Sequence, residues 1–171
     1  MFKLLSIFLL FSSSVIIGTY FNSQFLRRKK LLIQYRDFIQ KLETEIGYFK
    51  EPLPLILEKL HSGTNDPIDI LLRQCMMHLD ETTASASEIW HRAVMSAYET
   101  EPLKSADLAV LSKCGTFLGQ SDYNSQKGHF MLLKEELSQQ IKEAEEICRV
   151  KGPLCTKAGI SVGAVIAIAL L

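Results

Sequence analysis

Hydrophobic residues form a near-continuous run at each end of the chain and a helical rhythm between them. No charged residue occurs from Leu4 to Leu26, and Leu4–Phe21 (LLSIFLLFSSSVIIGTYF) is strongly apolar. About 20 helical residues cross a hydrocarbon core of roughly 30 Å, so residues 4–26 are expected to be a transmembrane helix. Tyr20, Phe21 and Phe25 mark an aromatic interface zone, followed at once by Arg27, Arg28, Lys29 and Lys30. Only Lys3 and the amino terminus lie on the other flank, so the positive-inside rule places the following domain in the cytoplasm. A cleavable signal peptide fits less well: its n-region would hold a single Lys, and no A-x-A-like site precedes the basic cluster.

The second run, Leu154–Leu171 (LCTKAGISVGAVIAIALL), is interrupted by Lys157. Its charge-free part, Ala158–Leu171, is 14 residues, short for a span. Counted from Leu154 it reaches 18 residues, about 27 Å of helix, provided Lys157 snorkels to the interface. Residues 154–171 are therefore expected to form a second transmembrane helix, the alternative being a tail helix buried in the domain. Lys151 and Lys157 lie on the domain side, in agreement with the first span. Gly159 and Gly163 form a G-x-x-x-G pair suited to close packing on another membrane helix.

Between the runs, residues 27–153 read as one cytoplasmic bundle of six helices, giving an all-α fold. Leu31, Tyr35, Phe38, Leu42, Ile46 and Phe49 recur at three- and four-residue spacing, one face of a helix. Glu51-Pro52-Leu53-Pro54 ends it, and a short helix over Leu55–His61 stops at Ser62-Gly63. Asp66-Pro67 supplies a cap and a first-turn proline for a helix to about His78. Ser85 and Glu88 have capping-box spacing ahead of Trp90, Val94 and Tyr98. Ser105 is placed to cap the next helix, with Leu108, Leu111, Cys114, Phe117 and Leu118 inward and Gly119 as its C′ residue. Ser121 or Asp122 then caps the longest helix, whose stripe of Phe130, Leu133, Leu137, Ile141, Ala144 and Cys148 is expected to run to a break at Gly152-Pro153.

Charge changes this picture in one respect. The chain is formally neutral, with 19 basic and 19 acidic residues. Residues 31–150, however, hold all 19 acids against 12 Lys and Arg, a net of −7. An acidic bundle is a poor nucleic-acid binder, since phosphate neutralisation needs clustered cations. Cys75, Cys114, Cys148 and Cys155 form no C-x-x-C pair and have no His at metal-site spacing, which points to reduced, packing thiols and no metal site.

Catalytic signals are missing as well. There is no P-loop, dinucleotide fingerprint or nucleophile elbow, and His61, His78, His91 and His129 are scattered. No enzyme activity, cofactor or small-molecule substrate is expected. Glu43 and Glu45, two residues apart, cannot share one helix face. The run Glu135, Glu136, Glu143, Glu145 and Glu146 reads either as a solvated face or as an acidic surface for a basic partner.

Three stretches resemble the stage III sporulation protein AB family. They are Leu42-Glu43-Thr44-Glu45-Ile46-Gly47-Tyr48; Pro52-Leu53-Pro54 with Leu57 and Leu60; and Leu118-Gly119-Gln120-Ser121-Asp122 with Gln126 and Leu132. The resemblance implies a membrane subunit of the channel-like, secretion-related apparatus joining mother cell and engulfed forespore. Its bundle would be similar to the cytoplasmic domain of type II secretion platform proteins. It also implies a mother-cell location, in the membrane around the forespore with the domain facing the cytoplasm. Other membrane subunits of the channel, and by analogy a secretion-type ATPase of the same operon, are the implied partners. A platform subunit of a type II secretion or type IV pilus system outside sporulation is the alternative; such platforms normally carry two domains and three spans. Pro52, Pro54, Gly119 and Ser121 read as structural turn residues. Glu43, Glu45, Gln120, Asp122 and Gln126 are the candidate partner-binding residues, the last three expected at an exposed corner between two helices.

Overall fold

No proline precedes Pro52, and the first element is one helix, α1, over Phe2–Phe49. The apolar run and the amphipathic stripe thus belong to a single helix. The computed structural model describes residues 2–49, 51–78, 85–118 and 123–170, with backbone only at 2–4, 49, 123–125 and 170. Five helices follow: α2 Leu53–Leu60, α3 Pro67–His78, α4 Ala86–Ala97, α5 Ser105–Ser112 and α6 Tyr123–Leu170; a 3₁₀ turn, Lys113–Thr116, extends α5. The fold is all-α, with no strand among the described residues.

Two helix ends correct the sequence expectation. Gly152-Pro153 does not break α6, which carries Pro153 inside it. Pro153 lies on the exposed side and Gly152 on the buried one, so the carbonyl deprived of its N–H partner sits away from the packed face, where the loss is tolerated. Ser105 is the first residue of α5 and not its cap; Lys104 takes that position, its N–H donating to Asp107 Oδ2 at 2.8 Å. Asp107 is wholly buried, a capping carboxylate the apolar pattern missed. Leu108, expected inward, is only half-buried. By contrast the Ser85 capping box forms, with Glu88 N–H donating to Ser85 Oγ at 3.2 Å and Ser85 N–H to Glu88 Oε2 at 3.0 Å. The expected caps Ser121 and Asp122 and the C′ residue Gly119 lie outside the described residues.

The chain divides into two compact units, Met1–Lys30 with Lys142–Leu171, and Leu31–Ile141. In the second, the α1 face Leu31, Tyr35, Phe38 and Leu42 is buried together with Leu32 and Ile39. Tyr35 meets the Tyr98 ring just after α4 and the Leu111 carbonyl of α5, and Phe38 stacks on Trp90 of α4; Val94 of α4 and Phe130, Leu133 and Leu137 of α6 are buried as well. Burying such side chains is worth roughly 1.5–3 kcal/mol each. Where the α5 ladder gives way to the 3₁₀ turn, the Leu111 carbonyl accepts from Tyr35 Oη at 2.7 Å and from Trp90 Nε1 at 3.1 Å. Both buried aromatic donors are thus satisfied at one acceptor. The turn approaches so closely that a Cβ on Gly115 would lie 2.5 Å from Trp90 Cβ.

In the first unit the two apolar helices run antiparallel with glycines at their crossing. Gly159 lies against Ser14 and Gly18, Gly18 against Cys155, Gly152 against Asn22, and Gly163 against Phe11. The G-x-x-x-G pair thus packs on α1 of the same chain. Ser14 Oγ donates to the Gly159 carbonyl at 2.7 Å. Outside the apolar stretch, Lys29 pairs with Glu145 at 2.6 Å, and buried Arg28 with Glu143 at 3.5 Å.

Candidate functional site

Of the candidate partner-binding residues, the structure brings Glu43 and Glu45 to the end of α1 and turns them to different neighbours, as a two-residue offset on a helix requires. Glu43 receives Lys134 Nζ of α6 at 2.5 Å, and Lys134 also donates to Gln40 Oε1 at 3.0 Å. Glu45 receives Lys59 Nζ of α2 at 2.5 Å. Both carboxylates are therefore held within the bundle, only 13% and 18% exposed. Gln120 and Asp122 lie outside the described residues. Gln126, expected on an exposed corner, is buried, and its amide donates to the Phe117 carbonyl at 3.2 Å. It ties the start of α6 to the segment after the 3₁₀ turn and offers a partner no surface.

The bundle also leaves exposed several apolar side chains that sequence periodicity did not single out. Tyr48 is 84% exposed, and Leu55, Met131 and Leu132 each lie more than half in solvent. A groove of about 350 Å³ is lined by Glu43, Lys127, Gly128, Met131 and Lys134. Exposed apolar groups beside polar ones are the usual composition of a docking patch. Their signal in the sequence was weak: each departs from the core stripe of its helix, which by itself looks like ordinary surface.

Pro52 caps α2, its carbonyl accepting from Leu55 N–H at 3.0 Å and Ile56 N–H at 3.3 Å; Pro54 sits in the first turn, where no intrahelical donor is lost. The following loop contains Gly63 at φ +75°, a left-handed conformation that favours glycine. It wraps the buried Asp69 carboxylate, which accepts from Ser62 N–H at 2.9 Å, Thr64 N–H at 2.6 Å and the Thr64 hydroxyl. Burial disfavours this charge, but those hydrogen bonds and nearby His61 outweigh it and hold the pKa below its ordinary value. A cavity of about 290 Å³ beside the loop is lined by Asp37, Lys41, Asp66 and Asp69 among others; with Asp69 satisfied by the loop itself, it is a structural feature of the turn.

Among the described residues no group of three His, Cys, Asp or Glu could hold a metal ion. Cys75 and Cys114 are free and buried, Cys148 and Cys155 free and half-buried. His91 Nδ1 contacts Ser112 Oγ at 3.1 Å on the surface, and the His129 ring stacks on Phe117 at 5.4 Å.

Comparison with known proteins places this all-helical architecture in a family. The family model described as Stage III sporulation protein AB (spore_III_AB) matches residues 3–171. Stage III sporulation protein AB of Bacillus subtilis (strain 168) is 29% identical over 119 residues, covering 70% of each chain. A solved structure titled Stage III sporulation protein AB (SpoIIIAB) superposes with a TM-score of 0.63 at 28% identity, covering 71% of this chain and 96% of that one.

Proposed function

We propose that this chain, which belongs to the stage III sporulation protein AB family, is a non-enzymatic membrane subunit that docks a secretion-type ATPase in the apparatus joining mother cell and forespore. Two helices are long and apolar enough to cross a bilayer; they would anchor the chain in the mother-cell membrane around the forespore. Their basic flanks would keep residues 31–141 in the mother-cell cytoplasm, where a soluble ATPase can reach them.

The observation that carries this reading is the set of large apolar side chains that the bundle leaves exposed on its helices, Tyr48, Leu55, Met131 and Leu132, with Met131 lining the groove beside Glu43. Folding leaves these large apolar groups in water although the same helices bury a full core. A protein partner that covers them recovers their burial energy. Full-length chain in detergent, mixed with a secretion-type ATPase from the same organism, is expected to retain the ATPase on affinity resin. Met131→Glu and Tyr48→Ala are expected to release it while leaving helical content unchanged. Failure of the wild-type chain to retain the ATPase sinks the docking assignment.

A further inference from the structure

The basic residues near the membrane fall into two groups, and Arg27 belongs with the engaged ones. Arg28 and Lys29 are occupied by Glu143 and Glu145. Lys30, Arg149, Lys151 and Lys157 are exposed and have no hydrogen-bonding or ion-pair partner among the described residues. Glu146, three residues before Arg149, is exposed and likewise unbonded among the described residues.

The placement of these four cations follows from the helix pair. At about 100° per residue, Gly152, Cys155, Gly159 and Gly163 define the side of α6 that α1 covers. Arg149 and Lys151 then fall on either side of that seam and Lys157 nearly opposite it, so the three fan around the uncovered surface of α6. Lys30 likewise turns away from the α1 face that carries Ser14, Gly18 and Lys29. The contacts of Phe11 with Gly163, Ser14 with Gly159, Asn22 with Gly152 and Lys29 with Glu145 also fix the register. Continued along the helices, Tyr20 is level with Leu154. Arg149 and Lys151 stand just beyond that aromatic level, Lys157 about 5 Å inside it and Lys30 about 15 Å outside it, at 1.5 Å rise per residue. Snorkelling carries the Lys157 ammonium group outward to the headgroup layer beside Arg149 and Lys151, and Lys30 stands on the aqueous side of that layer.

We infer that Lys30, Arg149, Lys151 and Lys157 form a collar that binds the headgroups of anionic phospholipids. The inference rests on the reading that the two apolar helices are membrane-inserted. Neutral headgroups offer no net charge to the collar, whereas each anionic one neutralises cations that the protein leaves unpaired.

The test is native mass spectrometry of the full-length chain released from detergent, with phosphatidylglycerol or phosphatidylcholine titrated in. Phosphatidylglycerol is expected to be retained in preference. Arg149→Gln with Lys151→Gln, which keeps Lys30, Lys157 and the Arg28 and Lys29 ion pairs, is expected to weaken retention about thirtyfold, at roughly fivefold per cation. The charge-preserving pair Arg149→Lys and Lys151→Arg keeps wild-type retention and shows that folding is intact. Equal retention of the two lipids, an unaltered affinity in the Gln pair, or displacement of phosphatidylglycerol by equimolar inorganic phosphate overturns the collar. A chain that stays out of the membrane fraction in cells overturns the anchoring itself, a separate result.

Discussion

Replacing Gly159 by Ala tests the helix pair most directly. An added Cβ would lie 2.7 Å from the Ser14 carbonyl oxygen and 3.2 Å from Gly18 Cα. Both obstacles are backbone, so no side chain can swing aside; the helices must separate by about half an ångström, and the seam is packed on both sides. Overpacking of this kind costs about 1–3 kcal/mol. Separation also weakens the Ser14 hydroxyl bond to the Gly159 carbonyl, worth about 0.6 kcal/mol within membranes. Alanine's better helix propensity returns about 1 kcal/mol. The net is a destabilisation of about 0.5–2.5 kcal/mol, and Gly159→Ile, with three more carbons, is expected to exceed it clearly. Equilibrium unfolding of the full-length chain in mixed micelles, followed by circular dichroism as the denaturing detergent fraction rises, measures the difference. Gly128→Ala is the control: its Cβ would meet nothing within 4 Å, so it is expected to stabilise by roughly 0.5–1 kcal/mol. If Gly159→Ala unfolds at or above the wild-type midpoint, close glycine packing does not hold the pair.

Three further outcomes follow from the bundle. Gly115→Ala sets a Cβ against the base of the Trp90 side chain, 2.5 Å from its Cβ and 2.9 Å from Cγ; a loss of about 1–3 kcal/mol and an altered Trp fluorescence maximum are expected. The Asp69 pKa lies below its ordinary value, so its contribution is complete above that value and disappears as pH falls through the lower folded pKa. Asp69→Asn should therefore lower the melting temperature at pH 6 and bring it close to wild type at the acid end of a scan from pH 6 to 2.5. Burial pushes the Cys75 thiol up to about 12 and that of Cys114 well above its ordinary range; neither should react with iodoacetamide at pH 8 until denaturant is added, with labelling mapped by peptide mass spectrometry.

Much of the fold was legible because the helices obey simple periodicity. Tyr35, Phe38, Leu42, Trp90, Val94, Phe130, Leu133 and Leu137 all occupy the core that their spacing assigned to them. Continuity was less legible. Gly152-Pro153 carries the strongest breaker signal in the chain, yet the helix continues because Pro153 lies on the exposed side and Gly152 against Asn22. Such an outcome depends on which face a neighbouring helix covers, a tertiary fact. Asp69, Asp107 and Gln126 were also beyond pattern reading, since a polar residue is buried only where backbone groups are left to satisfy it. Here those groups belong to a loop, to a helix start and to the turn after the 3₁₀ segment.

The same tertiary pairing changes how the acidic residues bear on a partner. Read linearly, Glu43 and Glu45 offer free negative charge; in the bundle each is neutralised by a lysine from another helix, Lys134 and Lys59. A basic partner would have to compete with those lysines, whose ammonium groups already sit at hydrogen-bonding distance. Glu136 is engaged in the same way by Lys113 at 2.6 Å. Reversing the charge of Glu43 would therefore act first on the packing of α1 against α6, so a lost partner in that variant would not identify a contact. Tyr48, Leu55, Met131 and Leu132 carry no such internal duty: their surface is already in water, and truncating it removes little from the fold. The discriminating substitutions for docking are thus the apolar ones, with the carboxylates serving to hold the helices that present them.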